Sequence, residues 1–182
     1  MKRKTIDYVL LGSIAGLIVI IDQVTKAIVR SSIPVGGHWA PLEFLYPFLQ
    51  IYHTENTGVA FGMFQGGNLI FSILALLVSL AIIYYYPRVP ASDWTLRIAL
   101  GLQLGGALGN LVDRVVFGYV TDFIAVSNFA IFNVADSSIT IGVIVLLLGV
   151  WAGEQKKDKA QPAEPTAGSL GSEEVDSGKA EE

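Results

Sequence analysis

Four apolar runs, near residues 8–29, 68–86, 96–116 and 133–152, constrain this chain more than any other feature. Each is close to the ~20 helical residues needed to cross a hydrocarbon core. Backbone placed there must satisfy its own hydrogen bonds, and unbroken runs of this length do so as helices. The chain is 52% hydrophobic, above the roughly 45–50% of soluble domains. The sequence therefore predicts an all-α integral membrane protein, a bundle of four transmembrane helices. The first run follows Met-Lys-Arg-Lys, but it is long for a secretory h-region, ends in charged "DQVTKAIVR" and lacks a small-x-small cleavage site. It reads as a retained span.

Basic residues in short loops set orientation. Lys2, Arg3 and Lys4 precede the first run, Arg88 and Arg97 flank the second connection, and Lys156, Lys157 and Lys159 follow the fourth. With alternating helices all three sites lie on one side. That side is the cytoplasm, with both termini, and the loops 30–67 and 117–132 face outward. The 30–67 loop is too long for a plain connection. Its "LEFLYPFLQIYHTENTGVAFGMF" is rich in aromatic and branched residues broken by Pro47 and an Asn-Thr-Gly turn, which predicts a small extracytoplasmic β cradle. Residues 1–153 thus form one membrane-embedded domain. Residues 154–182, with eight acids, four lysines and little to bury, predict a disordered acidic cytoplasmic tail. Without that tail the body carries eight charges of each sign.

Composition excludes several kinds of chemistry. There are no cysteines and only two histidines, His38 and His53, which rules out disulfides, thiol nucleophiles and thiolate metal sites and leaves too few ligands for most zinc sites. No basic patch interleaved with aromatics points to nucleic acid. No cofactor motif is present. The chemistry falls to carboxylates, hydroxyls, amides and a few bases.

Ionisable groups in spanning segments cost ~2.5–3.5 kcal/mol each on insertion scales and are functional candidates. "DQVTK" puts Asp22 and Lys26 at i and i+4, where they can neutralise each other. "GNLVDR" puts Asn110, Asp113 and Arg114 on one stripe, with Arg114 expected to hold Asp113 ionised. Asp122 and Asp136 differ, because no Lys, Arg or His lies between them. Asp136 falls in the first turn of the fourth helix, three residues after Asn133, where the helix dipole favours its anion. The connection between them can double back near Asn128, so the two carboxylates can meet. Close carboxylates cannot both ionise easily and hold a shared proton. One can then act as general base on a water while the other protonates a carbonyl oxygen. The bland alternative is a cap or turn role for each. Gly101, Gly105 and Gly109, four apart, form a small-residue face for close helix packing. A proton relay and a non-catalytic assembly factor are rival readings. The first lacks inverted-repeat symmetry and midplane acids, and the second leaves Asp122 and Asp136 unexplained.

Taken together and in order, "DQVTK", "NTGVAFG", "GNLVDRVVFGYVTDFI" and "FNVADSSI" resemble the lipoprotein signal peptidases, the type II signal peptidases of bacterial inner membranes, over roughly residues 8 to 152. The resemblance implies a membrane-embedded aspartic endopeptidase of the inner membrane that works without a cofactor. Its partners would be membrane lipid and diacylglyceryl-modified prolipoproteins, cut just before the lipidated cysteine by a monomer whose active site lies near the outer face. It implies Asp122 and Asp136 as the catalytic pair, with Asp22, Lys26, Asn56, Asn110, Asp113, Arg114 and Asn133 shaping the site and holding substrate. The segment between the two aspartates is shorter than in many relatives, and the acidic tail has no counterpart.

Overall fold

The structure, a computed structural model, describes residues 2–160 apart from 41, 43, 45, 47, 59–65 and 128–129. Four long helices stand on the four apolar runs: α1 (Lys2–Ser32), α2 (Asn68–Tyr85), α3 (Trp94–Val116) and α4 (Val134–Ala160). Helix α2 tightens into a 3₁₀ turn at Tyr86–Arg88, where Pro87 cannot continue the α-helical ladder. Helix α3 starts at Asp93, whose side chain accepts a bond from the Leu96 amide (3.0 Å).

Helix α3 is the axis of the molecule and touches each of the other three. Arg97, Asn110 and Asp113 on it are all buried, so its polar groups are turned inward. The outer helices do the opposite. Leu17, Ile20, Val24 and Ile28 on α1, Leu69, Leu77 and Leu80 on α2, and Leu147, Leu148 and Trp151 on α4 are all exposed, an apolar surface far larger than a water-soluble monomer shows. Over Tyr8–Ser32, Asn68–Arg88 and Val134–Gly153 the chain is long and apolar enough to cross a membrane. The fourth expected span, on α3, has the length, 23 residues, but carries a polar inner face.

The expected glycine face is used within the chain. Helix α1 lies on Gly101 and Gly105, where an added Cβ would stand 2.8 Å from Ile14 Cγ2 and 2.7 Å from Ile18 Cβ, and Gly109 faces the Asp22 carboxylate. On the neighbouring face, Gly106 seats the start of α4: a Cβ there would overlap the Ala135 carbonyl oxygen. This glycine lies outside the four-residue spacing read from the sequence.

A four-stranded antiparallel sheet, β1 (His38–Trp39), β2 (Leu49–Asn56), β3 (Val120–Val126) and β4 (Ala130–Phe132), runs in the order β1-β2-β3-β4. Of these strands only β1 and β2 come from the first long loop, where the sequence predicts strands. The connection between α3 and α4 adds the other two strands. "VTDFIAV" is dominated by β-branched and apolar residues and pairs with the free edge of β2 in two stretches, Leu49–Ile51 with Val126–Ile124 and Thr54–Asn56 with Asp122–Val120, separated by a shift of register at Tyr52 and His53. Gly118, at φ 83°, turns the chain from α3 into β3, a conformation glycine adopts without strain. The connection does double back, through Ser127, but its tip at Asn128 lies outside the described residues, as do Pro47 and most of the segment after Asn-Thr-Gly. Helix α4 continues to Ala160, past the boundary expected at 153; the rest of the expected tail, 161–182, is also outside the described residues.

Candidate active site

The sequence spacing along α1 and α3 builds a charged layer first. Asp22 and Lys26, one turn apart, pair at 2.8 Å with neither side chain exposed. Lys26 Nζ also reaches Asp113 Oδ2 at 3.2 Å and donates to Asn110 Oδ1 at 3.0 Å. Asp113 meets Arg30 Nη1 at 3.6 Å. Two carboxylates thus face two cations, as a buried cluster requires. The expected partner of Asp113, Arg114, is not the one used. One residue further round the helix, Arg114 points elsewhere, while α1 supplies both cations.

Both buried carboxylates also hold backbone. Asp22 Oδ1 accepts the Ala135 amide at 2.9 Å, so a residue of α1 caps the first turn of α4. Asp113 Oδ2 accepts the Thr121 amide at 2.9 Å. Gln23 Nε2 donates to Asp113 Oδ1 at 3.0 Å and to the Gly109 carbonyl at 3.1 Å. The layer therefore fixes the residues directly before Asp136 and Asp122. Removing one partner of a buried ion pair costs about 3–5 kcal/mol. Lys26→Met is accordingly expected to lower the melting temperature sharply or to abolish recovery of monodisperse protein, read by thermal melts and size exclusion in detergent.

The second layer contains Asp122 and Asp136, held by neutral amides. Asp122, on β3 opposite Thr54 and only 3% exposed, accepts from Asn56 Nδ2 at 2.9 Å and from Asn133 Nδ2 at 2.7 Å. Asp136 accepts from Asn110 Nδ2 at 2.8 Å and from the Asn133 amide at 3.2 Å. Asn133 Oδ1 in turn accepts the Asp136 amide at 2.9 Å. This reciprocal exchange is a capping box with Asn and Asp in place of the usual Ser/Thr and Glu/Gln. It starts α4 and aims Asp136 at once. Asn133 reaches both carboxyls, Asp122 with its side-chain amide and Asp136 with its backbone amide, and Asn110 ties it to Lys26.

Amide donors orient a carboxyl group without neutralising it. Burial pushes the Asp122 carboxyl up to about 7, the neighbouring Asp136 adds to the rise, and hydrogen bonds from Asn56 and Asn133 and the more distant Lys26 oppose it. Both aspartates, with Asn56, Asn110 and Arg114, line one cavity of about 280 Å³ walled by Val120, Ile131 and Ile139. Arg114, half-buried there, forms no ion pair among the described residues; its guanidinium stands 5.8 Å from the Phe71 ring. No cluster of His, Asp and Glu among the described residues could hold a metal ion.

Every site residue read from the sequence belongs to this one assembly. Asp122, Asp136, Asn56, Asn110 and Arg114 open on the cavity. Asp22, Lys26, Asp113 and Asn133 have no exposed surface and lie behind it. Gln23, Thr121 and Gly106 were missed, and Arg30 was not counted among the site residues. Arg30 was legible in principle, because Asp22, Lys26 and Arg30 at i, i+4 and i+8 make one stripe on α1.

Helices with lipid-compatible outer surfaces around a buried carboxylate cavity define a membrane enzyme. Two solved bacterial membrane enzymes, determined by the in meso method, share the fold. One is 33% identical with a TM-score of 0.75, covering 85% of this chain and 94% of the other. The second is 35% identical with a TM-score of 0.69, covering 77% and 91%. The model of the signal peptidase II family matches residues 14–152, and the lipoprotein signal peptidase of Staphylococcus aureus is 36% identical over 151 residues, 80% of this chain and 91% of that one. The chain belongs to the signal peptidase II family and is a peptidase.

Proposed function

We propose that the chain is an aspartic endopeptidase that removes signal peptides from diacylglyceryl-modified prolipoproteins, with Asp122 and Asp136 as its catalytic pair. Family membership supports the substrate class. The observation that carries the aspartic mechanism is the juxtaposition of two amide-held carboxyls at one cavity, bridged by Asn133. With one proton on the pair, the ionised carboxylate removes a proton from water as its oxygen attacks the scissile carbonyl carbon. The protonated partner gives its proton to the carbonyl oxygen. The resulting diol collapses as a proton passes to the amide nitrogen and the C–N bond breaks, leaving a carboxylic acid and a free amine. The pair returns with one proton.

Asn56, Asn110 and Arg114 are placed to hold the substrate backbone in the cavity. Asp22, Lys26, Asp113 and Asn133 shape the site from behind, by fixing β3 and the start of α4. In the membrane, α3 is the fourth span, and its polar inner face is shielded by the other helices. The sheet and the catalytic pair lie at the outer face of the bacterial inner membrane, and both termini lie in the cytoplasm. That depth suits a bond beside a lipid-anchored cysteine. Residues 1–153 act as one domain, as a monomer.

The test is release of the signal peptide from a diacylglyceryl-modified prolipoprotein by purified protein in detergent, followed by gel shift across pH. Because Asp122 holds its proton to about pH 7, kcat/KM is expected to fall above that pH, about tenfold per unit. No release from lipidated substrate would remove the proposal, and a rate unchanged up to pH 9 would remove the shared-proton mechanism.

A further inference from the structure

The corner between α3 and β3 is clamped by one side chain that the signal peptidase reading does not use. Arg30 Nη1 donates to Thr121 Oγ1 at 2.9 Å and lies 3.6 Å from Asp113 Oδ1. Its guanidinium also stacks 4.3 Å from the centre of the Phe117 ring, the residue that ends α3. From α1, Arg30 thus holds the last turn of α3, the residue after it and the second residue of β3. Thr121 is fully buried and is held from both ends, its amide by Asp113 and its hydroxyl by Arg30.

We propose that Arg30 is a positioning residue for catalysis, acting through Thr121 on Asp122. Successive side chains of a strand point to opposite faces, so fixing the Thr121 side chain fixes the direction in which Asp122 leaves the strand. Arg suits the task better than Lys, because its planar fork can donate to the hydroxyl, face the carboxylate and stack on an aromatic ring at once. This role rests on the reading of Asp122 as catalytic. Arg30 does not line the cavity that holds Asp122 and Asp136, which separates this role from substrate contact.

The experiment compares Arg30→Gln, Arg30→Lys, Thr121→Val and the Arg30→Gln/Thr121→Val pair in the full chain, on diacylglyceryl-modified prolipoprotein in detergent. Thr121→Val nearly keeps the volume and removes the hydroxyl to which Arg30 donates. Misplacement of a reacting group by ~1 Å costs about a hundredfold. Arg30→Gln and Thr121→Val are therefore expected to lower kcat about ten- to a hundredfold with KM within about twofold. Arg30→Lys should fall between them and wild type, and the double variant should be no slower than the slower single one, because both break one link. A kcat retained while only the melting temperature falls would make Arg30 merely structural and overturn the proposal. So would a raised KM at unchanged kcat, or additive losses in the double variant. A wild-type protein that releases no signal peptide would instead sink the functional reading. In that case the melting temperature at pH 5 and pH 8 decides, since buried Asp122 makes it pH-dependent: Arg30→Gln and Thr121→Val should weaken that dependence, and an unchanged dependence in both would overturn the positioning role.

Discussion

Asp122→Asn and Asp136→Asn are each expected to lower signal peptide release by about four orders of magnitude, the scale on which losing one member of a catalytic acid–base unit is felt, while leaving the helices assembled. An asparagine can accept one of the hydrogen bonds each carboxyl now receives, but it can neither take a proton from water nor pass one to a carbonyl oxygen. Gel shift on lipidated prolipoprotein reads the loss, and size exclusion with a thermal melt reads the assembly. Activity within tenfold of wild type for either variant would remove that residue from the pair.

The same Asp122 variant also changes how stability depends on pH. The folded carboxyl holds its proton to about 7 against an ordinary value of 3.8. From about pH 4 to 7 the unfolded chain has already lost that proton while the folded chain keeps it, so wild-type stability falls as pH rises through this window and then levels. Three pKa units correspond to on the order of 4 kcal/mol. Asp122→Asn removes the group that titrates. Its melting temperature relative to wild type should therefore rise between pH 5 and pH 8 by several degrees. A variant that loses activity while gaining stability at high pH is the signature of an acid kept in place for chemistry at a cost to the fold.

What could be read along the chain was what repeats locally. The Asp22 and Lys26 pair follows from one helical turn, and the Asn133 to Asp136 capping exchange lies within three residues of the fourth helix start. The absence of any base between Asp122 and Asp136 marked them before any contact was known. What could not be read were choices between neighbours distant in sequence. Asp113 had an arginine beside it, yet its cations come from α1, because Arg114 projects from the helix in another direction. The strands β3 and β4 were taken for a plain connection. Their β-branched pattern is clear in "VTDFIAV", but it becomes strand only where the free edge of β2 offers hydrogen bonds, and that edge belongs to a loop more than sixty residues earlier.

Gly106 carries the second large effect, and it too depends on a distant partner. A Cβ on this residue would overlap the Ala135 carbonyl oxygen and stand 2.6 Å from both Ile139 Cγ1 and Ser138 Oγ. A backbone carbonyl cannot rotate away as a side chain can, so the first turn of α4 must retreat from α3. That retreat stretches the bond from the Ala135 amide to Asp22 and the bond from Asn110 to Asp136, moving the carboxyl that the capping box aims. Overpacking of this kind costs about 1–3 kcal/mol, and the better helix propensity of alanine returns up to about 1 kcal/mol. Gly106→Ala should therefore fold with a modestly lower melting temperature, while kcat falls about a hundredfold or more from the displacement of Asp136. Gly101→Ala is the control: the nearest atoms to its Cβ all belong to Ile14 on α1, so α1 and not the start of α4 must give way, and it lies more than two turns from Asn110, so kcat should stay near wild type while the melting temperature falls. Equal kcat losses in both variants would mean that general loosening of the bundle, and not the seating of α4 on Gly106, governs the site.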